Sequence, residues 1–231
     1  MREPVNFITF DYQSSNCPKP KPCSTVKRPV MVHDFIDQIR RRRSQYNIGR
    51  NLELSQTDIT GIIQEAARHA PSTFNSQSSR IVILYGSESV QFWELVKAAL
   101  RPLVPQDAFE STEAKLKKFA SGAGTVLFYE DQQVVRDLQE TYKLYAEKFP
   151  EFSEQSSGMA QFSVWTALAN VGVGASLQHY NPVIDTAVAE QWDIPQNWKL
   201  RAQLPFGSNE SEPGEKSFID DALRFKIAGN I

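Results

Sequence analysis

Arg40-Arg41-Arg42-Arg43-Ser44 sets four guanidiniums in a row ahead of a hydroxyl. Four successive positions wrap a full helical turn, so at least one of these arginines falls near the face that helix buries. An unpaired buried cation is very costly. Arginine presents a planar donor fork suited to phosphate, and serine adds a hydroxyl. Two readings stay open from the residues alone: a phosphate-binding corner, or a solvated basic turn that complements the helix dipole. A second segment is Ala70-Pro71-Ser72-Thr73-Phe74-Asn75-Ser76-Gln77-Ser78-Ser79-Arg80. It reads either as a plain polar loop or as a recognition loop, since the Asn75 and Gln77 amides pair a donor with an acceptor and suit the edge of a flat heterocycle. Gly172 to Tyr180 holds a third polar pair, Gln178 and His179. A lone histidine there is either structural or a ligand contact.

Other chemistries lack their signatures. The chain has no G-x-G-x-x-G, no G-x-x-x-x-G-K-[ST] and no G-x-S-x-G, which leaves out the usual dinucleotide, triphosphate and serine-hydrolase motifs. Its three histidines are far apart, and Cys17 and Cys23 have no partners for a zinc site. These absences point to chemistry carried by a bound organic cofactor. The 231 residues are 41% hydrophobic, enough for a real core. The mean hydropathy is −0.41, and no apolar run approaches the ~20 residues that span a bilayer. With a net charge of −2 the chain lacks a global basic field for nucleic acid. A soluble, cytoplasmic protein with no nucleic-acid or membrane partner is expected.

The elements that would position these residues follow from apolar spacing. Residues 1–30 hold five basic residues (Arg2, Lys19, Lys21, Lys27, Arg28) against Glu3 and Asp11, plus alternating prolines. They read as a flexible extension, with no apolar signal region. From residue 31 onward one domain is expected. Val32, Phe35, Ile36 and Ile39 predict a helix over 32–44. Ser55 and Asp58 form a capping signature before a second helix that Pro71 closes. Ile81 to Tyr85 and Thr125 to Tyr129 are β-branched and aromatic runs, hence strands. Helices are expected near 88–100, 107–120, over the Val134–Tyr145 and Met159–Ala169 stripes, and near 184–192. Val173 to Leu177 and Lys199 to Phe206 read as strands, and Ala222 to Ile227 alternates like an edge strand. The order gives an α+β protein of mixed α/β layers in which helices dominate.

In this order the segments resemble the nitroreductase family of flavoproteins. Arg42-Arg43-Ser44-Gln45-Tyr46 is similar to the family's basic segment after its first helix, and Ala70 to Gln77 to its A-P-S-x-x-N-x-Q loop. Gly172 to Tyr180 is similar to the segment along the flavin edge. Ala202 to Gly207 with Pro213-Gly214-Glu215-Lys216 is similar to the closing strand and its basic residue. The Asn-Ser-Gln-Ser-Ser-Arg and Gly-Glu-Lys runs most resemble the fatty-acid-repression-mutant subgroup, and the likeness covers Met31 to Ile231.

The resemblance implies a central mixed sheet flanked by helices, and an intertwined homodimer with FMN at the subunit interface. It implies ping-pong hydride transfer through flavin N5, from NADH or NADPH to nitroaromatics or quinones. Arg42, Arg43, Ser44 and Lys216 would meet the FMN phosphate. Ser72, Asn75 and Gln77 would bond the flavin or ribityl groups, and Gln178 and His179 would lie along its other edge, with a backbone N–H near Tyr180 addressing N5. No side chain is required as nucleophile or base, because the flavin carries the hydride. Two departures stand out. Tyr46 replaces a basic residue, for which Lys115, Lys117 or Lys118 are either substitutes from a helix or solvated surface lysines, and Ser78-Ser79 replaces Pro-Trp. Phe109, Tyr142 and Phe149 are candidates for the acceptor pocket, and Met159, Phe162 and Trp165 for core or dimer interface. The alternative function is a flavin-binding regulatory protein, responding to redox state or lipid, with little turnover.

Overall fold

The computed structural model describes residues 32–229; the expectations for residues 1–30, including Cys17 and Cys23, lie outside them. In chain order, α1 (Val32–Arg41) and the short β1 (Ile48–Gly49) precede α2 (Gln56–Arg68) and β2 (Ser79–Tyr85). Then come α3 (Gly86–Leu100), α4 (Gln106–Ala120), β3 (Gly124–Asp131) and α5 (Gln132–Thr141). A long α6 (Phe149–Asn170) leads to β4 (Gly174–Ala175), α7 (Asp185–Gln191), β5 (Trp198–Asn209) and α8 (Asp221–Arg224).

The sheet runs β1-β5-β3-β2, with β4 also on β5. Every ladder is antiparallel, so the expected mixture of directions comes down to one parallel bridge, Ser44 to Ala175. β3 is buried along its whole length, as a central strand covered on both faces must be. Its side chains alternate accordingly. Val126 and Phe128 enter a core with Ile59 and Ile63 of α2 and Val164 and Leu168 of α6. Leu127 and Tyr129 enter a second core with Phe92 and Trp93 of α3 and Leu116 and Phe119 of α4. The result is three layers. Among the described residues no helix is long and apolar enough to cross a membrane.

The capping box before α2 forms as spaced: Ser55 Oγ accepts from the Asp58 N–H at 3.1 Å, and the Asp58 carboxylate accepts from the Ser55 N–H at 3.3 Å. Three expectations are corrected. The first helix stops at Arg41 rather than 44, because the chain turns to bridge β4, with Gln45 N–H donating to the Ala175 carbonyl at 2.9 Å. Two residues of its stripe do not reach the core either: Phe35 and Ile36 are exposed. The 222–227 segment is not a strand. Asp220 accepts from the Ala222 N–H at 2.9 Å and starts the one-turn α8, and no strand among the described residues pairs with it.

Candidate functional site

The arginines sit where α1 ends. Arg40 and Arg41 are exposed on its last turn, whereas Arg42 and Arg43 lie beyond it and are half-buried. Glycine at 174 permits this path, since a Cβ there would meet Gln45 Cβ at 3.2 Å. Arg43 Nη2 donates to the Gly214 carbonyl at 2.5 Å, which brings the C-terminal tail alongside, two residues before Lys216. Arg42 stacks on Trp165 of α6, its Cζ 4.3 Å from the ring centroid. Among the described residues the Arg42 guanidinium makes no hydrogen bond, and its Nε is buried without a partner. Burial and the adjacent Arg43 both lower its pKa. Two close guanidiniums in a half-buried place are the donor set of an anion site.

The second predicted segment is a loop under backbone constraint. Phe74, Asn75 and Gln77 adopt φ of 56°, 50° and 50°, a left-handed region that bulky residues rarely occupy. Strain of this kind persists only where the surroundings over-determine it. Here α6 does so: the Thr73 N–H donates to Ser156 Oγ at 3.1 Å. Inside the loop the Gln77 N–H donates to Ser72 Oγ at 2.9 Å. Beneath it lies Glu130 of β3, 0% exposed. Its carboxylate accepts from the hydroxyls of Ser78 at 2.6 Å, Ser79 at 2.5 Å and Ser153 at 2.7 Å. The Ser78-Ser79 departure thus has a structural purpose, tying the loop to the sheet. With its end anchored, the loop presents Asn75 and Gln77 to solvent. A cavity of about 450 Å³ opens beside it, lined by Ser72, Gln77, Ser79, Arg80 and the α2 residues Ile63 and Ala67.

The third segment contributes less. Gln178 is buried, with Nε2 donating to Ser176 Oγ at 3.2 Å, while His179 is exposed. The Tyr180 N–H, the expected hydride-site donor, is already taken by Gln203 Oε1 at 2.8 Å. Lys216 is exposed, its Nζ 5.1 Å from the Phe218 ring. Of the three lysines named against Tyr46, Lys115 shares a neighbour with it: Phe119 lies 6.5 Å from the Tyr46 ring and 5.7 Å from Lys115 Nζ.

Two groups therefore emerge within the chain. Arg42, Arg43 and Ser44 gather with β4 and the tail, and Ser72, Asn75 and Gln77 gather on the Glu130-anchored loop. No hydrogen bond or ion pair among the described residues joins them. Next to the loop, Phe74 packs 4.7 Å from Tyr142 and 5.6 Å from Phe149. Phe109, by contrast, is buried under Arg101 in the α4 layer and drops out of the candidate pocket. Sequence reasoning missed Glu130, whose one signal was a carboxylate inside an apolar strand run, and the Arg42–Trp165 stack, which nothing local announces.

Known proteins share this architecture. The nitroreductase family model matches residues 39–208. HBN1 of Saccharomyces cerevisiae, named as a nitroreductase, is 34% identical over 190 residues, 81% of this chain and 94% of its own. The nitroreductase CinD from Lactococcus lactis in complex with nicotinic acid superposes with a TM-score of 0.79 at 49% identity, covering 84% of this chain and all of that one; the same protein has been solved with 4-nitrophenol. At 16% identity, a nitroreductase from Desulfovibrio desulfuricans in complex with FMN shares the fold, with a TM-score of 0.63 over 85% of this chain and 98% of that one. With the match running from the arginine corner through β5, this chain belongs to the nitroreductase family of oxidoreductases.

Proposed function

We propose that this protein is an FMN-dependent oxidoreductase that takes reducing equivalents from NADH or NADPH and passes them to small nitroaromatics or quinones. The observation that carries the cofactor is the half-buried, unpartnered Arg42 guanidinium beside Arg43, a cationic corner whose missing acceptor is supplied by a phosphate. Arg42, Arg43 and Ser44 hold that phosphate, and Lys216 closes over it from the tail. Ser72, Asn75 and Gln77 bond the ring system or ribityl chain, with Gln178 and His179 along its far edge. Lys115, near Tyr46, is the cation available to the charge of the reduced ring. FMN, when bound, supplies the hydride and electron transfer. The chain's residues bind it, orient it and exclude water from one face. The CinD complexes with nicotinic acid and 4-nitrophenol support a small, flat aromatic acceptor, and Phe74 and Tyr142 offer aromatic surface for one.

The working unit in this reading is a homodimer. Among the described residues no hydrogen bond or ion pair joins the phosphate corner to the amide loop, and in this reading a two-fold partner completes the site. An apolar patch supports the same conclusion: Phe35 of α1 and Met159 and Phe162 of α6 are exposed around one surface cavity, as an interface core would be in a lone subunit. So does the tail, where Phe218, Leu223, Phe225 and Ile227 are exposed and offer apolar surface for a partner to cover.

The test is the visible spectrum of the purified protein after FMN addition and desalting, followed by NADH or NADPH without oxygen. Retained flavin bands that bleach are expected. Bands that stay oxidised overturn the enzymatic reading, and no retained flavin overturns the cofactor. Sedimentation of a flavin-loaded monomer would remove the dimer.

A further inference from the structure

We propose that Trp165 is a positioning residue for the cofactor phosphate: its indole holds the Arg42 guanidinium in the orientation that receives the phosphate. This rests on the flavin reading above. Arg42 follows the last residue of α1, and its N–H still donates to the Gln38 carbonyl at 3.1 Å, so the helix holds its backbone and leaves the side chain to its own contacts. The guanidinium makes no hydrogen bond among the described residues, and the contact that defines its place is the stack on Trp165 at 4.3 Å. A guanidinium over an indole is the strongest pairing of its kind, and more so when half-desolvated, as this one is. The Cζ lies over the ring, and among the described residues no hydrogen bond occupies the two terminal nitrogens. Those are the atoms a phosphate takes.

Trp165 is not ordinary core. It lies at the margin of the α2–α6 core rather than inside it, and its own Nε1 is buried without an acceptor. A leucine or phenylalanine would pack there without that cost. Without the ring Arg42 would retain its charge but sample many rotamers, and the phosphate would have to order it on binding. Trp165 therefore acts on affinity for the phosphate and not on the flavin ring.

FMN and riboflavin differ by that phosphate alone, so the ratio of their dissociation constants isolates it. Flavin fluorescence quenching with the full chain, stripped of cofactor, is to be measured for wild type, Trp165→Leu and Trp165→Phe. The leucine variant is expected to weaken FMN about tenfold and riboflavin by less than about twofold. The phenylalanine variant, retaining a weaker π face, should fall between wild type and leucine. If both variants weaken the two flavins equally, Trp165 is only packing or interface and the proposal falls. No change in either flavin also overturns it. If wild type binds neither flavin, the cofactor reading itself has failed; if wild type prefers FMN while the variants keep that preference, only the role of Trp165 has.

Discussion

Two charged side chains mark the two halves of the candidate site, and the chain treats them in opposite ways. Glu130 is fully buried, yet three serine hydroxyls within 2.7 Å satisfy both its oxygens. Arg42 is less buried, yet finds an aromatic face and no acceptor. A buried charge persists when its partners are built in; one left open points outward to something the chain does not contain. Glu130 is thus the scaffold of the amide loop, whereas Arg42, in the function proposed above, is the receptor for an anion. The satisfied group identifies what must not move, and the unsatisfied group what must bind.

The largest effect expected from breaking this contrast is at the scaffold. Glu130→Ala leaves three hydroxyls facing a void, and orphaned buried polar groups cost about 1–3 kcal/mol each before relaxation. A loss of about 3 kcal/mol in global stability is expected from denaturant unfolding, with flavin affinity falling because the loop is freed. Arg42→Ala should do the reverse. Losing charge-assisted bonds to a phosphate is worth about 2 kcal/mol, or roughly 30-fold in FMN affinity. The flavin-free protein should lose about 1 kcal/mol, from the stack on Trp165, well short of the Glu130→Ala loss. If Arg42→Ala destabilises the flavin-free chain as Glu130→Ala does, the distinction between scaffold and receptor is wrong.

What could be read in the residues divides along the same line. The α2 capping box was legible because Ser55 and Asp58 bond each other locally. β2 and β3 were legible as β-branched and aromatic runs, although only β3 is buried along its whole length. The arginine cluster and the amide loop were legible as motifs. Their supports were not: Glu130 meets Ser78 and Ser153 only after β2, β3 and α6 assemble, and Arg42 meets Trp165 only across the fold. The tail misled for a related reason. Its alternating residues fit a strand, but a strand needs an edge, and within one chain Asp220 caps a helical turn instead.

A smaller effect calibrates the scaffold side. Ser55→Ala removes one cap far from either cluster, at a cost of about 1 kcal/mol. FMN affinity should not change. A loss of both together would mean that stability and flavin affinity do not separate in this protein, and the inference from Glu130 and Arg42 would lose its footing.

The smallest effect asks whether an unsatisfied charge always marks a ligand. Asp185, in the first turn of α7, has a buried carboxylate oxygen without a partner, but it belongs to the α7 layer and to neither cluster. Burial raises its pKa above the ordinary 3.8, with Arg201 and Lys199 opposing the shift. A carboxyl group whose folded pKa is raised holds its proton longer in the native state. Stability therefore falls as pH rises from 3.8 through the folded value, and a penalty remains at neutral pH. Asp185→Asn removes the titration. The variant should unfold at higher denaturant than wild type at pH 7, and the gain should disappear below pH 3.8. FMN binding should not respond at either pH, since the open valence here is a cost of packing and not a receptor. A variant less stable at pH 7 would mean that the helix dipole and the two cations outweigh burial. A variant with altered flavin affinity would place α7 within reach of the cofactor, and an unpartnered buried oxygen would then count as a site marker alongside Arg42.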